Sequence, residues 1–577
     1  MSDSLNEILK KYDSENEEFH PFHIIFCEIM AIQEGEKKFE AEAEIMALAF
    51  GENEEDSTEP WGAYFKYGTT RQDKGGCYYF PRYEDINEQI LDYWQKRGND
   101  VNNIYLKARY LGLVYEFNKR VTDRSIKQDL INSYVNALNL LCDAKNSISD
   151  LELKRLVIRA INVSVRSKND DLIKRTINTA INLEDRISVD LELCTWGFCF
   201  ENLVLKNRKF LTQEQIKKLV IDLESRVKRL RLLEEPYLIE HAVENLSQYY
   251  RSDKDSFEVK RVINEAANVI KIKALKSSPV IAFDLYRNLY DLYKKNNMHN
   301  EVNEAAQLIH EIGPKVVSMM KPIKISTTID TESIDNYLDA LVEGGFENAT
   351  FRILNKFIPK ISEIREQIAH RQSIAPLSSL FTNNSLFAPS TGQFIATIKS
   401  NDQDENLGFN YVQNLEVENF FLVLSFEKLF NKYNVLTSNL VGYIYQSQFF
   451  KENAKLIIEK GIEAYFNDNH IVAIHLLIPQ LEAAFRNIVE LQEASVVKAN
   501  NIGGMNFILF DKILQHDLLK NCFSDDQIFY FRSILTDQKG WNLRNDVCHG
   551  LKNSSEFSKS LSARIIHILL ILAQVRF

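Results

Sequence analysis

An arginine, an amide and a histidine crowd one stretch near the C-terminus, Trp541-Asn542-Leu543-Arg544-Asn545-Asp546-Val547-Cys548-His549-Gly550. These are the groups that RNA cleavage without a metal needs. An imidazole with an ordinary pKa of about 6.5 moves a proton between a 2′-hydroxyl and a departing 5′-oxygen at neutral pH. A guanidinium is always charged, and its fork matches two phosphate oxygens of a crowded transition state. On an ideal helix Asn545 and His549 share a face, about 6 Å apart along the axis. Arg544 and His549 fall about 140° apart, so both serve one cleft only if the helix starts or distorts there. Gly540 and Gly550 flank the stretch and allow such a short, irregular turn. Each residue also has a structural reading. His549 would be a helix-end histidine satisfied by a carbonyl, Arg544 would pair with Glu482 or Asp546 to tie two helices, and Cys548 reads as a small core residue.

These groups must be positioned, and the long amphipathic segment upstream is 470–492, HIVAIHLLIPQLEAAFRNIVELQ. His475, Pro479, Glu482 and Arg486 recur at i, i+4, i+7 and i+11, one helical face. Leu476, Leu477, Leu481, Ala484 and Ile488 make the apolar stripe that buries the helix. Glu482 four residues before Arg486 is either a surface pair contributing about 0.3–0.5 kcal/mol or the anchor of an arginine in a cleft. Pro479 removes one backbone donor and is expected to kink or restart the helix.

With these residues in place, the segment Leu543-Arg544-Asn545-Asp546-Val547-Cys548-His549-Gly550 resembles the Arg-Asn-(x)3-His motif of the HEPN superfamily. Together with HLLIPQLEAAFRNI upstream and an apolar closing helix, it is similar to a bacterial HEPN branch known as a domain of unknown function. PWGAYF and YWQKR near the N-terminus resemble what precedes that domain in such proteins. The resemblance covers the C-terminal third. It implies a metal-independent endoribonuclease that works as a homodimer on RNA and leaves 2′,3′-cyclic phosphate and 5′-hydroxyl ends. Arg544, Asn545 and His549 would be catalytic, with Asn, Asp or His serving at the Asn545 position in the family, and Glu482, Arg486 and His475 would support them. By the same analogy the protein is a bacterial toxin or anti-phage effector. The alternatives are a non-catalytic HEPN module binding nucleotide, RNA or protein, or a subunit of a larger defence complex.

Composition sets limits on this. The 577 residues are too many for one core, and three or four packed units are expected. With a net charge of −11 and a pI near 5.7, no general nucleic-acid-coating surface exists, and RNA contact must be local. Arg486, Lys520, Arg532, Lys539, Arg544 and Lys552 supply such local charge. The seven cysteines are scattered, and none pairs at zinc-knuckle spacing. Cys194 and Cys199 lie in an apolar run and read as core. There is no phosphate loop and no Ser–His–Asp spacing, and neither a metal nor a cofactor is expected. No signal-like N-terminus stands out, and the most apolar run, Ile565 to Val575, is broken by His567 and Gln574, so a cytoplasmic protein without membrane contact is expected.

The expected class is all-α, in four parts. Residues 1–100 form an N-terminal unit with helix from His23 to Ala49 and an aromatic, glycine-rich segment 61–81. That segment is a hairpin turning at Gly75-Gly76, with a base-stacking surface or a small aromatic core as its alternatives. Residues 101–320 read as helical hairpins of about 40 residues: 103–119 with 125–143, 151–167 with 169–184, 189–206 with 213–232, 236–252 with 256–273, and 279–296 with 298–312. Small residues such as Ala137, Ala160 and Ala180 recur where helices would cross. This is a tetratricopeptide-like solenoid, expected to bind a regulatory protein or to act as a spacer. After a break marked by Gly313-Pro314 and Lys321-Pro322, residues 321–409 hold helices 331–343 and 348–371 and an ordered linker lying on the last domain. Residues 410–577 are a HEPN-like bundle with helices 415–433, 436–447, 451–467, 470–492, 506–519, 525–536 and 556–575.

Overall fold

Apolar residues at three- and four-residue spacing run through most of the chain, and about three quarters of the described residues are helical. The computed structural model describes residues 5–13, 22–32, 39–52, 64–66, 68–71, 77–144, 147–321, 328–374, 384–388, 391–398, 403–500 and 502–575. It divides into two compact units, Met1–Val302 and Asn303–Phe577.

In the first unit, Phe22–Met30 and Phe39–Ala49 are separate helices, so the single helix expected from His23 to Ala49 is two. They pack around two arginines, Arg109 buried and Arg97 half-buried. Arg97 donates to Asp13 and Glu44 at 2.6 and 2.7 Å. Arg109 lies over the Phe22 and Phe65 rings and pairs with Glu52 at 2.7 Å. Gly68–Arg71 pairs antiparallel with Cys77–Phe80, and the Gly75-Gly76 turn lies outside the described residues. The helices Ile104–Thr122, Gln128–Asp143, Asp150–Arg166 and Asp170–Ile187 follow, and then Gln213–Leu233, Pro236–Ser252, Ser256–Leu275 and Pro279–Lys295. Each packs mainly on its sequence neighbours.

The arm expected as helix at 189–206 is different. It holds a 3-10 turn at Leu193–Thr195 and a π-helical turn at Phe200–Leu205. Glu184 accepts from the backbone N–H of Gly197 and Cys199 at 2.8 and 2.7 Å, which competes with helical pairing, while Trp196, Phe198 and Phe200 are buried. Cys199 is core, but Cys194 is exposed.

Helix His299–Met319 runs through Gly313-Pro314 with no break there, because proline removes only its own donor. In the second unit the expected helix 348–371 is two, Phe346–Lys356 and Ile361–Ile374, parted at Pro359, which disfavours helix in the residue before it. The linker contributes an antiparallel hairpin, Asn384–Phe387 with Phe394–Ile398, whose Ile398 is buried. Helix Gln403–Lys432 starts well before the expected residue 415. Thr437–Ile444, Lys455–Phe466, His470–Leu491 and Asp525–Leu535 form near their expected places. The expected helix 506–519 is instead the strand Met505–Phe507, paired with Val497–Ala499, then a short helix Phe510–Leu514 and a 3-10 turn Asp517–Asn521.

His470–Leu491 is one unbroken helix through Pro479, so the helix does not restart there. By length and apolarity it is the one helix among the described residues that could cross a membrane. Here it is a core helix, with Ile474, Leu477, Ile478, Leu481, Phe485 and Ile488 fully buried. It packs on the closing helix Lys559–Gln574, which in turn packs on Gln403–Lys432.

Among these helices lies a fully buried arginine, Arg564. Its Nε donates to Asn419 Oδ1 at 3.0 Å, one Nη to the Phe357 carbonyl at 2.8 Å and the Tyr530 hydroxyl at 3.3 Å, and the other to the Leu415 carbonyl at 3.1 Å. Tyr530 bonds His567 Nδ1 at 2.7 Å, and burial beside Arg564 holds that imidazole well below its ordinary pKa, so it is neutral. Each acceptor left dry by removing Arg564 costs about 1–3 kcal/mol. Arg564→Ala is expected to lower stability by at least about 3 kcal/mol in urea unfolding. A loss below about 1 kcal/mol would contradict this account.

Candidate functional site

The motif is a six-residue helix, Leu543–Cys548, held at both ends by backbone geometry. It follows helix Asp525–Leu535 so closely that a Cβ on Gly540 would stand 2.1 Å from the Ser533 carbonyl oxygen, and Trp541 N–H donates to that same oxygen at 2.8 Å. Asn542 then takes a left-handed conformation (φ +47°), which asparagine tolerates better than most residues. At the other end His549 is the last residue before Gly550, which has φ +67°. Leu551 N–H reaches back to the Asp546 carbonyl at 2.8 Å and Gly550 N–H to Val547 at 3.2 Å, the paired bonds of a Schellman ending. Leu543 and Val547 are buried, which points Asn545, Asp546 and His549 away from the core.

The polar side chains form one hydrogen-bonded chain in which Glu482 accepts from two arginines and Arg544 donates on both sides. Arg486 Nη2 donates to Glu482 Oε1 at 2.6 Å, and Arg544 Nε donates to Glu482 Oε2 at 2.8 Å. Arg544 Nη1 donates to Asn545 Oδ1 at 3.0 Å. Asn545 Nδ2 donates to Asn542 Oδ1 at 2.7 Å, and Asn542 Nδ2 donates to Asp546 Oδ1 at 2.9 Å. Both amides are thereby oriented, because a guanidinium has only donors to offer. Burial pushes the Asp546 carboxyl up, against the pull of Lys552.

Beside this chain opens a cleft of about 960 Å³. The hairpin lends it Phe394, helix Gln403–Lys432 lends it Glu416, Asn419 and Phe420, and the motif region lends it Trp541, Asn545, Asp546 and His549. Lys552 and Glu556 come from the segment that follows. Desolvation by the cleft walls pushes the Glu416 carboxyl up from its usual range.

The sequence-predicted residues therefore divide. Asn545 and His549 share the cleft. Arg544 does not line it, being drawn to Glu482, so the tie between two helices is present. Arg486 is held further back by the Ile508 carbonyl at 2.6 Å and lies over the Phe507 ring. His475 is apart from both arginines: its ring stacks on Phe557 at 5.1 Å, and its Nδ1–H donates to the Ile471 carbonyl at 2.8 Å. Cys548 is exposed and not a core residue, because Leu543 and Val547 take the inward face of so short a helix. Asn542, Glu416 and Asn419 were not among the expected residues. For Asn542 the signal was present, a polar residue three before Asn545 and four before Asp546.

Gly540→Ala is expected to destabilise the protein by about 1–3 kcal/mol, since the new methyl must push the Ser533 backbone away. Gly550→Asn, at a left-handed position open to solvent, is expected to stay within about 1 kcal/mol of wild type. Thermal unfolding of the two variants side by side checks the contrast, and equal losses would refute it.

No family model and no curated protein matches the chain. Among solved structures, a circular tandem repeat protein with novel repeat topology and enhanced subunit contact surfaces is similar over 84% of this chain and 91% of its own, at 13% identity and a TM-score of 0.14. At that TM-score the likeness says nothing about this chain's fold or site.

Proposed function

We propose that the protein is a metal-independent endoribonuclease whose C-terminal region is a HEPN-like bundle. The observation that carries this reading is the hydrogen-bonded order Glu482–Arg544–Asn545, with Asn545 and an exposed His549 opening on one cleft. In the reaction His549 accepts the 2′-hydroxyl proton, the 2′-oxygen bonds phosphorus, and the bond from phosphorus to the 5′-oxygen breaks. The leaving oxygen takes a proton from a second acid, giving 2′,3′-cyclic phosphate and 5′-hydroxyl ends. One copy has Arg544 directed at Glu482 and outside the cleft. A homodimer, facing two motifs across a two-fold axis, would supply the second imidazole and bring guanidinium groups to the phosphate. The hairpin Val497–Phe507, next to Arg486, leaves Ile502, Met505 and Phe507 exposed and supports an apolar contact of that kind.

The same direction of Arg544 favours a second reading, a HEPN-like module that binds nucleotide, RNA or protein without cutting, alone or as a subunit of a defence complex. In either case the serial helical hairpins act as a tetratricopeptide-like solenoid that takes a regulatory protein. The biological role would be a bacterial toxin or anti-phage effector acting in the cytoplasm.

Incubating the protein with mixed RNA in EDTA separates the two. Fragments ending in cyclic phosphate are expected from wild type, falling by at least about a hundredfold in His549→Ala, the loss of one proton-transfer group. Equal cleavage by the variant would remove His549 from the chemistry. If wild type binds RNA without cutting it, the binding module is the right reading.

A further inference from the structure

The cleft holds three carboxyls, and two are already engaged. Asp546 accepts from Asn542 at 2.9 Å, and Glu556 accepts from Asn553 N–H at 2.8 Å and stands 3.7 Å from Lys552. Glu416 has no cation at ion-pair distance among the described residues; it lines the cleft next to the Trp541 indole, whose N–H draws on the carboxyl, as Lys552 and Arg564 do from further away. One turn further along the same helix is Asn419, only 5% exposed and also in the cleft wall. Its amide cannot be flipped: Arg564 Nε donates to Asn419 Oδ1 at 3.0 Å, and an arginine only donates, so Nδ2 is the half left for the cleft.

Glu416 and Asn419, at i and i+3, therefore present two acceptors followed by one donor along one face of a rigid helix. That order complements the edge of guanine that offers N2–H, N1–H and O6, two donors and one acceptor. Adenine presents an acceptor at N1, which would face the carboxylate unpaired. Phe394 from the hairpin and Phe420 from the helix add apolar faces on which a base can stack. The volume, about 960 Å³, is that of a small-ligand site. Lys552 provides positive charge at the cleft that His549 also lines.

We propose that this cleft is a guanine subsite, in which Glu416 and Asn419 read the base that His549 has beside its phosphate. Its role in choosing the cleavage point rests on the ribonuclease reading; the binding itself does not. Both residues determine specificity and neither takes part in bond breaking.

Calorimetric titration of the full chain with guanosine, inosine and adenosine 3′-monophosphates tests the subsite without any cleavage. The phosphate is common to all three, so differences report the base. Guanosine monophosphate is expected to bind at least about tenfold more tightly than adenosine monophosphate, the discrimination of one good forked pair. Inosine monophosphate, which lacks the 2-amino group, is expected in between. Glu416→Gln, which sets an amide donor against N1–H, is expected to erase the preference while circular dichroism stays unchanged. Equal wild-type affinities for guanosine and adenosine monophosphates, or no binding of either, would overturn the subsite. So would a preference that survives in a folded Glu416→Gln. The inosine comparison decides the matter if that variant does not fold, because inosine binding as tightly as guanosine removes the fork. Selective binding by a wild type that cuts no RNA would uphold the subsite and remove the nuclease.

Discussion

A buried guanidinium with no ion pair among the described residues is the constraint on which the C-terminal unit depends. Taking the Arg564 charge out of water is expensive, and it is tolerable only because carbonyls, an amide and a phenol surround it with fixed dipoles. Those acceptors belong to the end of Phe346–Lys356, to Gln403–Lys432 and to Asp525–Leu535. The arginine therefore specifies how three elements meet the closing helix, which apolar packing alone would leave looser. It also orients Asn419, so a demand of the core reaches the wall of the cleft.

The motif is held by a different means. Its helix is too short to be stable by itself, since a helix of six residues barely passes its own nucleation cost. Gly540 lets the chain enter against Ser533, Gly550 lets it leave, and two buried side chains anchor the middle. Within that frame Glu482 receives two arginines on its two oxygens, so the tie to His470–Leu491 is electrostatic as well as apolar. A carboxylate shared in this way fixes Arg544 more firmly than a lone surface pair would, at the cost of turning it from the cleft.

Helix periodicity made most of the architecture readable, because an apolar stripe at 3.6-residue spacing has few other meanings. It failed where a local interaction outweighed it. Residues 189–206 are apolar enough for a helix, but Glu184 captures two backbone donors there. At 506–507 strand pairing takes the first residues of the expected helix 506–519. The face of Glu482 and Arg486 was legible from spacing, whereas the turning of Arg544 onto that glutamate needed the packing of two helices to be known. His475 shares the face by count but lies about two turns from Glu482 along the axis, where its ring stacks on Phe557. Glu416 and Asn419 carry no motif and stand more than a hundred residues from His549, so only the fold brings them to it.

In the run from Glu482 to Asp546, Arg544 donates both ways, to Glu482 and to Asn545, and beyond it each amide accepts from one neighbour and donates to the next. Such a run constrains how the protein can vary among relatives. A change at Asn545 that reverses its donor and acceptor ends would strand Arg544 on one side and Asn542 on the other. Positions 482, 542, 544, 545 and 546 are thus coupled, and co-variation at these five positions among relatives would record the orientation of the chain even where single residues differ.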